Sequence, residues 1–360
     1  MREGSDAHLQ LRRLPASTTI EAIEGIEPDP KNLPRGASMR QVIIGLAMVA
    51  AAGMLSDAHA QQVFPTKPIQ IILPYPAGGI VDNITRVVTN KLSAIWKQPI
   101  IVEPKPGANG NIAWDQAMRS KADGYTWSFF GPAVIANPRI QEGVTFSEKD
   151  FVAIGGMVWV PWVLVVHPSV PVGTLKEFVD YVRANPGRLN VANGGTGSSG
   201  HLNTAIFLNT TKLDMVEIQY RGQPPALLDL VAGRVQFALA SPSLVLQYIQ
   251  SGQLKPLGVV ARSRLAQLPD VPTMSEVGYP EANVVAWYGL CAPKDTPATI
   301  VETIVSGVNE ALKDPAVRTA LEGQVTQVMD PMTPAELQAL VASDTEKYGK
   351  IIKDANIKIQ

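Results

Sequence analysis

Cysteine is almost missing from this chain: Cys291 is the only one in 360 residues, so no intrachain disulfide framework can form. Histidine is nearly as scarce, with His8, His59, His167 and His201 alone. Four imidazoles and one thiol do not assemble a His/Cys zinc site, and no metal is expected. Charge of one sign is also lacking. The 31 Lys and Arg against 32 Asp and Glu leave a net charge of -1, without the basic footprint of a nucleic-acid binder or a polybasic membrane segment. Aromatic residues make up only 6% of the chain, yet 46% is hydrophobic and 18% charged, the balance of a globular protein. The length suits two or three modest domains.

Long apolar runs are limited to one. From Met39 the chain reads Arg40, an apolar stretch from Val42 to Leu55, then Ser56-Asp57-Ala58-His59-Ala60, the pattern of a secretory signal peptide with a small-residue cleavage site. The run is short of the ~20 residues of a membrane span. These features predict an exported protein whose mature chain starts near Gln61. Residues 1–38 mix six acids with five bases, which is foreign to a signal n-region, so they are expected to be a mis-assigned leader with translation starting at Met39. From Gln61 onward acids and bases balance.

The mature chain alternates short β-like runs with amphipathic stretches, which predicts an α/β protein on largely parallel sheets. Ile69–Leu73 reads as a buried strand. Ile84, Val87, Val88, Leu92, Ile95 and Trp96 form one helix face after it. A strand at Ile100–Val102, a helix from Ile112 to Met118 and a strand at Tyr125–Phe130 complete a first unit. The second unit runs from a strand at Val163–Val166 through a helix opened by Thr174 with Glu177 three residues on, a capping-box spacing. It continues with strands at Leu189–Ala192, Met215–Gln219, Val235–Leu239 and Leu257–Val260. Helices are expected after His201, from Pro224-Pro225, and up to Gln250. A Pro-rich connection follows from Leu268 to Pro280, then a strand at Val284–Cys291 and helical sequence with Pro297 in a first turn.

Two glycine turns, one per unit, sit between a strand and a helix. The first is Pro74-Tyr75-Pro76-Ala77-Gly78-Gly79-Ile80-Val81-Asp82, and the second Asn193-Gly194-Gly195-Thr196-Gly197-Ser198-Ser199-Gly200-His201. Glycines let successive N–H groups and a helix N-terminus point at one spot, as an anion site requires. Thr196, Ser198 and Ser199 add hydroxyls. Asp82 reads either as a first-turn carboxylate that complements the helix dipole or as a cleft residue for a cationic group. The second turn contains a literal Gly-x-Gly-x-x-Gly at Gly195, Gly197 and Gly200, but the acid that a dinucleotide site wants about twenty residues on is replaced by Glu217, inside a strand. No Gly-x-x-x-x-Gly-Lys-Ser/Thr loop occurs, and Thr196 and His201 stand where a Gly-x-Ser-x-Gly elbow would need glycine. Two anion-directed turns on linked units predict a cleft that closes on a small anion without catalysis or cofactor. An exported hydrolase or other enzyme using Ser198, Ser199 and His201 is the alternative.

A series of motifs then carries a resemblance. Phe64-Pro65-Thr66-Lys67-Pro68-Ile69, the Pro-x-Pro-x-Gly-Gly turn with Asp82, and Glu103-Pro104-Lys105-Pro106-Gly107-Ala108-Asn109-Gly110-Asn111-Ile112 come first. Asp123-Gly124-Tyr125-Thr126, Asn137-Pro138, Gly197-Ser198-Ser199-Gly200-His201 and Tyr220-Arg221-Gly222 follow. Leu268-Pro269-Asp270-Val271-Pro272-Thr273 and Trp287-Tyr288-Gly289-Leu290 close the series. In this order the chain resembles the Bug family, periplasmic solute receptors of tripartite tricarboxylate transporters, over essentially the whole mature length.

The resemblance implies a two-domain periplasmic binding protein of type II, a Venus flytrap with two crossing strands near Val160–Val165 and Val284–Tyr288. Domain one would be 62–161 plus 286–360, and domain two 162–285. A carboxylate would lie in the cleft, one end on the Gly78-Gly79 turn, partly through waters, and the rest on the Thr196–Ser199 turn. The implied ligand-binding set is Pro76, Ala77, Gly78, Gly79, Ile80, Asp82, Gly131, Trp162, Thr196, Gly197, Ser198, Ser199, His201, Arg221 and Ser241. Arg221 is a candidate for a second carboxylate. Ile80 and Ala240 depart from small or polar residues and an Asp common in the family. With Val81, Trp162 and Trp159 they make the cleft apolar, so a mono- or dicarboxylate with an apolar body, such as a phthalate-type acid, is expected. The implied partners are that carboxylate and a membrane permease, with the receptor itself a monomer in the periplasm.

Overall fold

In a computed structural model, residues 64–354, 356 and 357 are described; the leader and the signal segment read from Met39 to Ala60 lie outside them. The first strand, β1 (Ile69–Leu73), carries one polar residue, Gln70, in an apolar run, and is buried accordingly. It pairs in parallel with β2 (Ile100–Pro104) on one side and β3 (Thr126–Phe130) on the other. The links are helices α1 (Ile80–Trp96) and α2 (Asn111–Met118). Beyond β3 come α3 (Pro132–Ile140) and the ten-residue β4 (Phe151–Val160).

Pro161 then carries the chain into a second sheet. Its elements are β5 (Trp162–Val166), α4 (Leu175–Ala184), β6 (Asn190–Asn193), α5 (Ser199–Thr211), β7 (Val216–Gln219), α6 (Gln223–Val231), β8 (Phe237–Ala240), α7 (Pro242–Gln250) and β9 (Lys255–Val260). The return strand β10 (Ala286–Pro293) rejoins the first sheet, followed by α8 (Ala298–Lys313), α9 (Pro315–Glu322), β11 (Gln327–Val328) and α10 (Pro334–Asp354). The strand orders are β11-β4-β10-β3-β1-β2 and β7-β6-β8-β5-β9.

The sheets are mixed, which corrects the expectation of largely parallel ones. β4 and β10 run antiparallel to each other, and β10 antiparallel to β3. In the second sheet β5 is antiparallel to both β8 and β9. The strands that carry the chain between sheets must enter against the direction of the βαβ units they join, and this direction leaves no mark in local composition.

Three elements were not anticipated: β4, α3 and the short β11, which lies in sequence read as helical. β4 contains Gly155-Gly156 and is buried along nearly its whole length, so it shows no period-2 alternation. A methyl group on Gly155 would lie 2.8 Å from Val308, and one on Gly156 2.8 Å from Met329, so these glycines let α8 and the β11 segment close on the strand. α3, with Pro138 inside it, was hidden by that proline. Several boundaries also move, two of them at helix starts. Pro297 caps α8 instead of sitting in its first turn, because its carbonyl accepts from Ile300 and Val301 while Thr296 turns back to Pro293. α5 begins at Ser199, ahead of His201.

One core joins the first sheet to the α5 face of the second, with Trp114, Trp127, Trp287, Phe129 and Phe130 almost fully buried. A smaller cluster around Val163, Leu230, Val245 and Val259 covers the other face of the second sheet. α5 is buried from Gly200 through Phe207, as a helix enclosed on all sides must be; α10, which packs on α3 and β4, also touches it.

Candidate functional site

The two sheets share a local plan. β1 has β2 and β3 on either side, and β6 has β7 and β8. In such open parallel arrangements the crevice for a ligand opens beyond the strand carboxyl ends, where successive connections leave in opposite directions. The loops leaving β1 and β6 at those points are the two glycine turns.

In the first, Gly78 takes φ 78°, and Gly79 in extended conformation caps α1 without a side-chain bond. Pro76 through Gly79 are exposed and Ile80 is half-buried, whereas Val81 is turned into the core at 6% exposure and does not wall a cleft as expected. The N–H groups of α1's first turn have no partner in the helix, by its geometry. Asp82 is 3% exposed. Its Oδ2 accepts the Gly78 N–H at 2.9 Å and its Oδ1 the Arg86 Nε at 2.8 Å. Burial pushes this carboxyl up, but the Arg86 hydrogen bond, the Gly78 N–H and the Arg86 charge together hold it below the ordinary aspartate value. One oxygen thus holds the loop and the other meets Arg86 in α1, which favours the helix-start reading of Asp82 and engages the Gly78 donor assigned to a ligand.

Beside this loop stands an aromatic group that the motif reading passed over. Tyr75 meets Phe129 edge-on at 5.8 Å, and Phe129 meets Tyr288 at 4.9 Å. Gly131, at the end of β3, admits this packing, because a methyl there would come within 2.8 Å of the Phe129 ring and 3.4 Å of Tyr288. Burial pushes the Tyr288 phenol up, and the neighbouring Ser199 hydroxyl draws it part of the way back. A residue of the first sheet and one from the helix of the second therefore face each other.

The second turn is tied down more tightly. Ser198 is the N-cap of α5, its hydroxyl accepting the His201 N–H at 3.3 Å. The His201 ring, 5% exposed, accepts the Gly197 N–H on Nδ1 at 3.0 Å and places Nε2 3.2 Å from Glu217 Oε2. The same carboxylate accepts Asn193 Nδ2 at 2.6 Å. With Nδ1 accepting, the proton of the neutral ring belongs on Nε2, facing Glu217. His201 was expected to touch ligand; both its nitrogens are engaged, and it acts as a brace behind the turn. The Ser–His contact that a hydrolase would need is not made, since the Ser198 hydroxyl meets the His201 backbone and the imidazole meets Gly197. Thr196 and Ser199 remain half-buried at the turn.

At Gly197, φ 77°, the second turn meets α3 of the first sheet. A methyl there would lie 2.3 Å from Ile140 Cδ1 and 3.6 Å from Asn109 Nδ2. Asn109 donates to Asn137 Oδ1 at 2.8 Å, and Asn137 donates to Asn111 Oδ1 at 2.7 Å. This chain of amides explains the Asn-Gly-Asn run on one side and Asn137 on the other. The clue available in sequence was Asn109, which adopts φ 56°, a conformation that asparagine tolerates better than most residues.

Gln223, also unanticipated, accepts the Ser241 N–H on Oε1 at 3.1 Å, while Gly200 lies against its Nε2 and the Trp162 ring. Ser241 is the N-cap of α7, and its hydroxyl pairs with Ser243 at 3.0 Å. Arg221 is exposed and makes no ion pair among the described residues. Trp159 carries the Arg262 guanidinium 5.0 Å above its ring. Among the described residues no cluster of three or more His, Cys, Asp or Glu could hold a metal, and no helix is long and apolar enough to cross a membrane.

Known proteins match this architecture. The family model described as the tripartite tricarboxylate transporter family receptor matches residues 84–357. Protein BugT of Bordetella pertussis is 32% identical over 322 residues, 88% of this chain and 98% of BugT. The periplasmic binding protein BugD superposes with a TM-score of 0.68 at 29% identity, over 82% of this chain and 100% of its own. An R. palustris protein solved with adipate gives 0.71 at 27% identity, over 82% and 99%. MatC of Rhodopseudomonas palustris, solved with malate, gives 0.68 at 28% identity, over 80% and 100%. The shared two-lobed α/β architecture and the family match over most of the chain lead to one conclusion: this protein belongs to the Bug-type receptor family of the tripartite tricarboxylate transporters.

Proposed function

We propose that this periplasmic solute-binding receptor captures a small carboxylate with an apolar body between the α1 and α5 turns and delivers it to a membrane permease. The lobes would be 62–161 plus 286–360 and 162–285, with Pro161 and the segment before β10 as crossings. The observation that carries the reading is the placement of the two glycine turns at the switch points of their sheets, with Gly197 docked on Ile140. Charge-assisted hydrogen bonds contribute about 1.5–3 kcal/mol each, and helix N-termini roughly 0.3–2 kcal/mol. A handful of these offsets the ordering cost and reaches the ~8 kcal/mol of micromolar binding.

Tyr75 and Ile80, both half-buried at the first turn, favour an apolar ligand body, since burying such surface contributes about 25 cal/mol per Å². The relatives solved with adipate and malate support the carboxylate class, and adipate the extended hydrocarbon body. A hydroxyl-rich acid would lose water against this surface without regaining hydrogen bonds. Thermal-shift measurement against aromatic, aliphatic and hydroxylated carboxylates tests the reading. A ligand at a hundred times its Kd adds about 2.7 kcal/mol of stability. Stabilisation by phthalate-type or aliphatic acids is expected; stabilisation by citrate or glutamate alone overturns the apolar choice, and no response to any acid overturns the carboxylate reading.

A further inference from the structure

Pro161 joins β4 to β5, and a small cluster of side chains bridges the two sheets beside it. On the first sheet, Gln327 of β11 pairs in register with Trp159 of β4. On the second, β9 ends at Val260, opposite Trp162, and Ala261-Arg262-Ser263 continues from it. The Arg262 guanidinium stands over the Trp159 ring, 5.0 Å from its centre. The Gln327 amide completes the bridge. Its Oε1 accepts the Arg262 N–H at 3.3 Å, and its Nε2 donates to the Ser263 hydroxyl at 3.0 Å and to the Ser263 carbonyl at 3.4 Å.

The loop that carries Arg262 is itself anchored. Asn283, just ahead of the return strand β10, donates from Nδ2 to the Ala261 carbonyl at 2.9 Å and accepts the Ala261 N–H on Oδ1 at 3.0 Å. Arg264 turns back to Glu276 of its own unit at 3.0 Å, so Arg262 is the arginine of this loop that reaches across.

Strand order gives the bridge its meaning. β11 flanks β4 and β9 flanks β5, whereas the glycine turns leave β1 and β6, on the other side of those two strands. The bridge and the glycine turns therefore lie on opposite sides of the crossing at Pro161. In the arrangement described here both sides are engaged at once, the turns through the approach of Gly197 to Ile140 and the far side through Arg262 and Gln327. A rotation about the crossings that parts the turns also tilts β11 against the loop after β9. Hydrogen bonds weaken steeply with angle, and a cation–π contact needs the charge above the ring. The bridge thus fits one angle between the sheets.

We infer that Arg262, Trp159, Gln327 and Ser263 form a clasp behind the hinge that favours the closed arrangement and so sets affinity without touching the ligand. This rests on the two-lobed receptor reading above and adds a regulatory element to it. Apparent affinity scales with the populated fraction of the binding-competent form, and that scaling does not depend on the chemistry of the ligand. Loss of the clasp should therefore weaken the binding of every acid by one factor.

Calorimetry on Arg262→Ala, Gln327→Ala and the double variant, with adipate, glutarate, phthalate and malate, tests the inference. Each single variant is expected to lose about threefold in affinity and the double variant about tenfold, as exposed contacts of this kind give. The factor should be the same for each acid that the wild type binds. Small-angle scattering should show every variant closed at saturating ligand, with the saturation point moved to higher concentration. Unchanged affinity with a lowered Tm would make the bridge a static contact, and a gain in affinity would make it a brace of the open form. Either overturns the inference and leaves the receptor reading standing, as does a loss confined to one acid. A wild type that binds none of these acids, or does not contract on binding, removes the receptor reading and the clasp with it.

Discussion

The Nδ1 of His201 accepts the N–H of Gly197 at 3.0 Å, so a side chain inside α5 holds the turn that precedes it. Because Nε2 is occupied by Glu217, the ring is anchored at both ends. His201→Ala should therefore leave the Gly197 donor and the Glu217 carboxylate without this partner, lowering stability by about 1–3 kcal/mol. Chemical denaturation would measure the loss. Binding should weaken with it, because the turn that faces the first sheet is no longer held. A variant with unaltered stability would contradict the brace.

Ser198 and Ser199 are neighbours with separate duties. Ser198 caps α5, so Ser198→Ala should cost about 1 kcal/mol of stability and leave affinity near normal. Ser199 lies beside Tyr288 with its hydroxyl at the turn. Ser199→Ala should weaken ligand binding about tenfold, one charge-directed hydrogen bond. Melting and titration of both variants separate the two effects, and an unchanged affinity for Ser199→Ala would remove it from the site.

Asp82 links pH to stability. Its carboxyl is held below the ordinary value by Arg86 and Gly78 against the opposing effect of burial. A carboxylate whose folded pKa is depressed contributes stability above its unfolded pKa, ~3.9, and that contribution is lost as pH falls through the folded value. The wild type should therefore exceed Asp82→Asn in Tm by a constant margin from pH 5 to 7, and the margin should shrink below about pH 4. Affinity should be intact in the variant, since both oxygens are already engaged by Gly78 and Arg86. A loss of binding at unchanged Tm would restore the cleft role.

Gly197 requires its lack of a side chain. At φ 77° and with Ile140 2.3 Å from a built Cβ, Gly197→Ala should prevent the two halves from docking as they do here. Small-angle scattering of the variant with saturating ligand should retain an opened form, with affinity reduced. Ile140→Ala in the same chain relieves the contact but leaves the backbone strain, so rescue should be partial. Full closure of the single variant would show that the contact is dispensable.

Much of this protein was legible without coordinates. β1 was bounded to the residue, because an apolar run between Pro68 and Pro74 can be little else than a buried strand. The Thr174 and Glu177 capping box forms as its spacing requires, and the two turns lie between strand and helix as glycine and proline placement dictates. These are local signals, set by backbone sterics and the period of apolar residues. The motif order was enough to identify the family.

Tertiary structure decided what depends on groups distant in sequence. That Asp82 serves Gly78 and Arg86, that His201 is a brace held by Glu217, and that Arg262 stands over Trp159 are facts about partners. A side chain's chemistry lists what it can bond, but only packing determines which of those bonds is already made. The same holds for β4, whose burial on both faces erased its alternation, and for the antiparallel crossing strands. Strand direction is chosen by long-range pairing, and no residue carries it alone.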